Sequence, residues 1–121
     1  MSRDHRNLEA FRSTDEFVLA IYQVSKLMPR EEMFGLTSQL RRAAVSAAAN
    51  IVEGAARSSE RDFVHFLGMA PGSLREAGYH LSLALRLGYF DSDAAKPAQA
   101  LYEQSARLLA GLIRSFGDRV Q

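Results

Sequence analysis

Apolar positions along the chain recur every three or four residues over long stretches, and nowhere do they alternate across a β-branched run. No Asn-Gly or Asp-Gly pair marks a hairpin. This is the pattern of an all-α chain. Four helices are predicted, over about 14–28, 36–56, 60–87 and 94–116, behind a frayed tail at about 1–12. In the first, Ser13-x-x-Glu16 resembles a capping box, and Phe17, Ile21, Val24 and Met28 follow at helical spacing. Pro29 ends it, because a proline drives the preceding residue out of the helical region. Short connections between long helices predict an antiparallel, up-down-up-down four-helix bundle in a single domain.

The third helix presents Phe63, Leu67, Ala70, Leu74, Ala77, Leu81, Ala84 and Gly88 as a seam for its neighbours. Pro71 inside it predicts a kink near residue 68, since proline removes one backbone bond and crowds the carbonyl four residues back. Gly88 suits a helix C-terminus, and Asp91-Ser92-Asp93 can cap the fourth helix. Pro97 is expected in that helix's first turn, with Leu101, Leu108, Leu112 and Phe116 on its inner face.

The second helix carries the most information. At 100° per residue, Gln39, Arg42, Ser46, Asn50, Glu53 and Arg57 share one stripe about 80° wide. Nearly all the remaining arc is apolar and rich in alanine, more than twice the width that an ordinary surface helix needs. Either this helix is crowded on three sides within one bundle, or one side packs on another subunit. The second subunit is favoured, because a four-helix bundle leaves each helix an outer face. Val45, Ala48, Val52 and Ala55 would then form the contact. The polar stripe has three readings: a solvated face, a ligand contact, or a network in which Arg42, Ser46, Asn50 and Glu53 meet Ser73 and Glu76 across the bundle. The network is favoured, because Ser and Asn are weak helix formers that a merely solvated stripe has no reason to use.

Composition narrows the field. The chain has 121 residues, of which 47% are hydrophobic and 24% charged, as in ordinary globular domains. It has no cysteine, which excludes disulfides, thiolate metal sites and cysteine nucleophiles, and suits a reducing compartment. No N-terminal apolar run resembles a secretory signal, and no stretch approaches the roughly 20 apolar residues of a membrane span. A cytoplasmic protein with no membrane partner is expected. Fifteen basic side chains oppose fourteen acidic ones for a net charge of +1, without a basic arm. Thirteen of the fifteen are arginine, the side chain better suited to phosphate recognition.

The stretch from Phe34 to Gly54 closely resembles a bacterial family of small four-helix-bundle proteins first noted in intervening sequences of large-subunit ribosomal RNA genes. The matching residues are Gln39, Arg41-Arg42, Ser46, Asn50-Ile51 and Glu53-Gly54, with a second block at Gly72-Ser73-Leu74-Arg75-Glu76. The resemblance runs from about Phe17 to Phe90. It implies a bundle that assembles as a homopentamer. It extends to the accessory variability protein of diversity-generating retroelements, whose basic surface engages nucleic acid and a reverse transcriptase. The chain differs from its family in having Pro71 where a smooth helix is usual, and Ala77-Gly78 where a second acidic position is common.

Enzyme signatures such as a phosphate-binding glycine loop, Gly-x-Ser-x-Gly or His-Glu-x-x-His are missing from the sequence. No cofactor, metal or small-molecule substrate is indicated. The expectation is a non-enzymatic, oligomeric binding or accessory module, with RNA or DNA as partner. Arg41, Arg42, Arg57 and Arg61 are the first candidates for contact, each with salt bridging as its bland alternative. The competing class is a metal-binding or enzymatic bundle using Glu53, Glu76 and His80, although a di-iron bundle needs paired Glu-x-x-His motifs that this chain lacks.

Overall fold

A computed structural model describes residues 3–117; Met1 and Ser2 of the expected tail lie outside them. The chain is a four-helix bundle, its helices being α1 (Glu9–Ser25), α2 (Leu36–Ala55), α3 (Glu60–Leu67), α4 (Ala70–Arg86) and α5 (Ser92–Gly117). Helices α3 and α4 together make the third rod. Three pairs of neighbours are tied at points where one residue number rises as the other falls, as in antiparallel packing. Ser13 and Phe17 of α1 meet Ser105 and Tyr102 of α5. Met28 and Ser25 meet Thr37 and Arg41 of α2. Glu32 and Ser46 meet Tyr89 and Ser73.

Helix α1 begins at Glu9, not near Ser13, so the expected capping box does not form. Ser13 and Thr14 are buried within the helix. Ser13 Oγ shares a 2.8 Å hydrogen bond with Ser105 Oγ, and Thr14 Oγ1 donates to the Ala10 carbonyl at 2.7 Å. Burying Ala10 and pairing these hydroxyls inside the bundle replaces the cap that the local sequence offers. The described part of the tail is not frayed. The Arg3 N–H donates to the Ala55 carbonyl at 2.8 Å, and its guanidinium lies over the Phe63 and Phe116 rings at 4.2 and 5.0 Å. Asp4 caps a short 3-10 turn at His5–Asn7, and the hydrogen-bonded Arg6 guanidinium lowers its carboxyl pKa to about 2.

The third rod is broken, not merely kinked. Pro71 has no N–H to offer the Leu67 carbonyl, so α3 ends at Leu67 and α4 restarts at Ala70 with the proline in its first turn. The predicted seam survives the break, and Phe63, Leu67, Ala70, Leu74, Ala77, Leu81 and Ala84 are all buried. Gly88 does not join them. It is exposed at φ +79°, where the Tyr89 and Gly88 N–H groups return to the Ala84 and Leu85 carbonyls in a Schellman cap.

Asp91 Oδ1 accepts from the Ala94 N–H at 2.8 Å and starts α5 two residues before the predicted boundary, which moves Pro97 into the second turn. The inner face of α5 is also rotated. Ala95, Ala98, Ser105, Leu109 and Phe116 are buried, while Leu101, Leu108 and Leu112 are only half-buried. Small residues take the inner positions as far as Ser105, and Leu109 and Phe116 take those beyond it.

Helix α2 is the hub, packing against α1, α3 and α4 at once. Its side facing these neighbours is Leu40, Ala43, Ala44, Ala47, Ala48, Ile51, Gly54 and Ala55, all buried. The broad apolar arc is therefore mostly satisfied within one chain. Ala48 and Ala55, expected at a subunit contact, are instead core residues; only Val45, at 40% exposure, and the half-buried Val52 stay available. Among the described residues, no helix is long and apolar enough to cross a membrane.

The start of α2 is held by Glu32. Its carboxylate accepts from the Leu36 N–H at 3.1 Å and from the Tyr89 hydroxyl at 2.7 Å, tying the α1–α2 loop to the α4–α5 loop. The Tyr89 hydrogen bond and then the Leu36 N–H hold the Glu32 pKa below its ordinary 4.5, and the same bond to Glu32 raises that of Tyr89. A carboxylate lowered on folding adds stability that is complete above 4.5 and disappears as pH falls through its folded value. Glu32→Ala should lower the urea midpoint at pH 7, and the gap from wild type should narrow at about pH 3. An unchanged gap at low pH would show that the carboxylate charge is not what holds the two loops.

Candidate functional site

The polar stripe of α2 faces α4 across an open groove. Gln39, Arg42, Ala43, Ser46, Ser73 and Glu76 line a cavity of about 300 Å³ there. Ser46 Oγ and Ser73 Oγ share a 2.9 Å hydrogen bond, the direct link between the two motif blocks. Asn50 Nδ2 donates to the Ser46 carbonyl at 3.0 Å, a local bond that satisfies the amide within its own helix.

The wider network does not close. Glu53 turns along the helix to Arg57, at 2.6 Å, rather than to Ser73 or Glu76. Glu76 Oε2 pairs with His80 Nε2 at 3.2 Å, and neither Gln39 nor Arg42 takes a side-chain partner among the described residues. Helical geometry explains the outcome. Glu53–Arg57 and Glu76–His80 are i,i+4 pairs that meet without crossing the groove, whereas an exposed cross-helix ion pair must also fix two long side chains.

His80 is buried instead of lying on the flank of its helix, and among the described residues its Nδ1 has no hydrogen-bond partner. Of the two tautomers, the one that donates from Nε2 to Glu76 fits this setting, because it leaves a lone pair rather than an N–H at the buried Nδ1. Glu53, Glu76 and His80 are not assembled into a metal site. Among the described residues, no three His, Asp or Glu side chains converge in a way that could hold a metal ion.

The four arginine candidates divide between opposite sides of α2 and the start of α3. Arg41 lies on the α1 side, where Nε donates to Ser25 Oγ at 2.8 Å and the guanidinium stacks on Tyr22 at 4.7 Å. Arg57 combines its ion pair with a stack on Phe66 at 4.5 Å. Arg42 and Arg61 are exposed, one on the groove and the other in the first turn of α3. The sequence does not bring these four together because two of them are used to fasten helices.

Gly54, the last residue of the longer motif, has a steric purpose. A Cβ there would stand 2.9 Å from Phe66 Cβ and 3.1 Å from the Phe63 carbonyl oxygen, so its absence lets α3 lie directly on α2. Gly78 plays the same part toward α5, where a Cβ would come within 2.5 Å of the Tyr102 ring. The absence of a side chain at Gly78 thus makes room for an aromatic ring.

These features define a small all-α bundle in which an alanine-rich second helix is the packing hub and its polar stripe forms one wall of an open groove. The chain belongs to the 23S rRNA-intervening sequence protein family, whose model matches residues 6–111. Its fold is shared by a solved protein with unknown function from the S23 ribosomal protein family of Bacteroides thetaiotaomicron. The two are 25% identical, with a TM-score of 0.77 over 86% of this chain and 97% of that one. No curated protein matches the chain at a significant level.

Gly54→Ala should cost about 1–3 kcal/mol through overpacking between α2 and α3, read as a lower denaturation midpoint with the helical signal retained. Stability equal to wild type would show that α3 can move away freely and that the glycine is not a packing requirement.

Proposed function

We propose that the protein is a non-enzymatic, cytoplasmic binding or accessory module that assembles with copies of itself, as a pentamer, and engages nucleic acid, with RNA as the leading partner. The observation that carries this reading is Phe34, 93% exposed on the α1–α2 loop beside Met33, with Met33 and Leu27 also exposed. The α4–α5 turn, tied to that loop by the Glu32–Tyr89 bond, adds exposed Leu87. Burying one such side chain is worth about 1.5–3 kcal/mol, which a surface forgoes unless something covers it. Val45 on α2, with Leu19 and Tyr22 on α1, adds further exposed apolar side chains.

The nucleic-acid reading draws on family membership and on the thirteen arginines, whose guanidiniums suit phosphate recognition. The lack of cysteine supports the cytoplasmic setting. In light scattering, the protein should have about five chain masses, and Phe34→Ser combined with Val45→Glu should lower that mass while helicity is kept. A wild-type monomer at micromolar concentration would overturn the assembly.

A further inference from the structure

Opposite its buried seam, α4 carries an exposed stripe of Arg75, Tyr79, Ser82 and Arg86 at spacings of four, three and four. The stripe is about 16 Å long at 1.5 Å per residue. Tyr79 is 57% exposed, with the Arg86 guanidinium 6.0 Å from its ring centroid. Arg86 Nε donates to the Ser82 carbonyl at 3.3 Å, which steadies the guanidinium along the helix. No carboxylate lies on this stripe. The single acid of α4, Glu76, sits on another flank in its pair with His80.

Beside the stripe runs the groove between α4 and α5. A cavity of about 410 Å³ is lined there by Gly78, Ser82, Gln99, Tyr102 and Glu103. A second, of about 150 Å³, reaches from Tyr102 to Arg75 and Pro71. The Tyr102 ring lies directly on the α4 backbone at Gly78, so the middle of the groove has an aromatic wall. Guanidiniums at the rim, a partly exposed ring between them, and an amide, a hydroxyl and a carboxylate within the groove are complementary to phosphates, base faces and base edges respectively. Base faces and edges are accessible together only on an unpaired strand.

We propose that the α4–α5 face is a binding site for single-stranded nucleic acid. Arg75 and Arg86 hold phosphates, Tyr79 stacks on a base, and Ser82, Gln99 and Glu103 receive a base edge beside Tyr102. This site rests on the nucleic-acid reading above but uses none of the arginines first suspected.

The test is fluorescence anisotropy with labelled oligouridine RNA of roughly twelve nucleotides, the matching oligothymidine DNA, and a hairpin duplex. The wild-type protein should bind single strands more tightly than duplex, and less tightly as salt rises. Arg75→Ala with Arg86→Ala should weaken binding at least about tenfold and reduce the salt slope by about 1–2. Tyr79→Leu should weaken it about tenfold with the slope unchanged. Arg42→Ala with Arg61→Ala should leave affinity within about twofold. All five positions are exposed, and circular dichroism checks that each variant keeps its helicity. Tighter RNA than DNA binding assigns the site to RNA, and equal binding assigns it to either strand. Stripe variants that bind like wild type overturn the site but leave the nucleic-acid reading standing. Preference for duplex overturns the single-strand assignment, and no binding of any probe at low salt overturns both site and reading.

Discussion

The close approach of three helices to the alanine face of α2 is the constraint on which this fold depends. Ala43, Ala44, Ala47, Ala48 and Ala55 are buried against α1, α3 and α4, and larger side chains at these positions would push the neighbours apart. Gly54 takes the principle to its limit, because Phe63 and Phe66 of α3 occupy the space that a methyl group would need. Most of the large residues of the core, among them Phe17, Ile21, Phe63, Leu67 and Leu74, come from the helices around α2, which itself adds Leu40 and Ile51. A slender central rod surrounded by bulkier partners is thus the packing solution.

Polar groups then fix which alignment of the rods is adopted. Two serine pairs, Ser13 with Ser105 and Ser46 with Ser73, bridge neighbouring helices, and a sliding helix would leave the fully buried first pair unsatisfied. The ends are fastened separately. Glu32 joins the two loops near the start of α2, and Arg3 joins the N-terminal segment to the carbonyl at its other end. Both fasteners bring together residues far apart in sequence.

The same economy shapes the surface. Arginines that look available in the sequence are partly used to hold the scaffold, as the Arg41–Tyr22 and Arg57–Phe66 stacks show. Those on the outer face of α4 have no such duty toward another helix. Membership in the 23S rRNA-intervening sequence protein family and the shared fold of a protein from the S23 ribosomal protein family show that the scaffold's shape recurs at 25% identity.

How much could be read without the structure depended on the range of the interactions involved. The all-α class, the seam from Phe63 to Ala84, the cap at Gly88 and the disruption at Pro71 follow from periodicity and backbone sterics, which act over a few residues. The Ser46–Ser73 contact was also legible, because the two motif blocks pointed at each other. Tertiary packing decided the rest. It drew Ser13 and Thr14 into α1, rotated the inner face of α5 toward its small residues, and buried Ala48 and Ala55 within the chain. A helical wheel shows how wide an apolar arc is but not how many neighbours share it. That number depends on how closely small side chains let other helices approach, a property of the assembled bundle and not of any single helix.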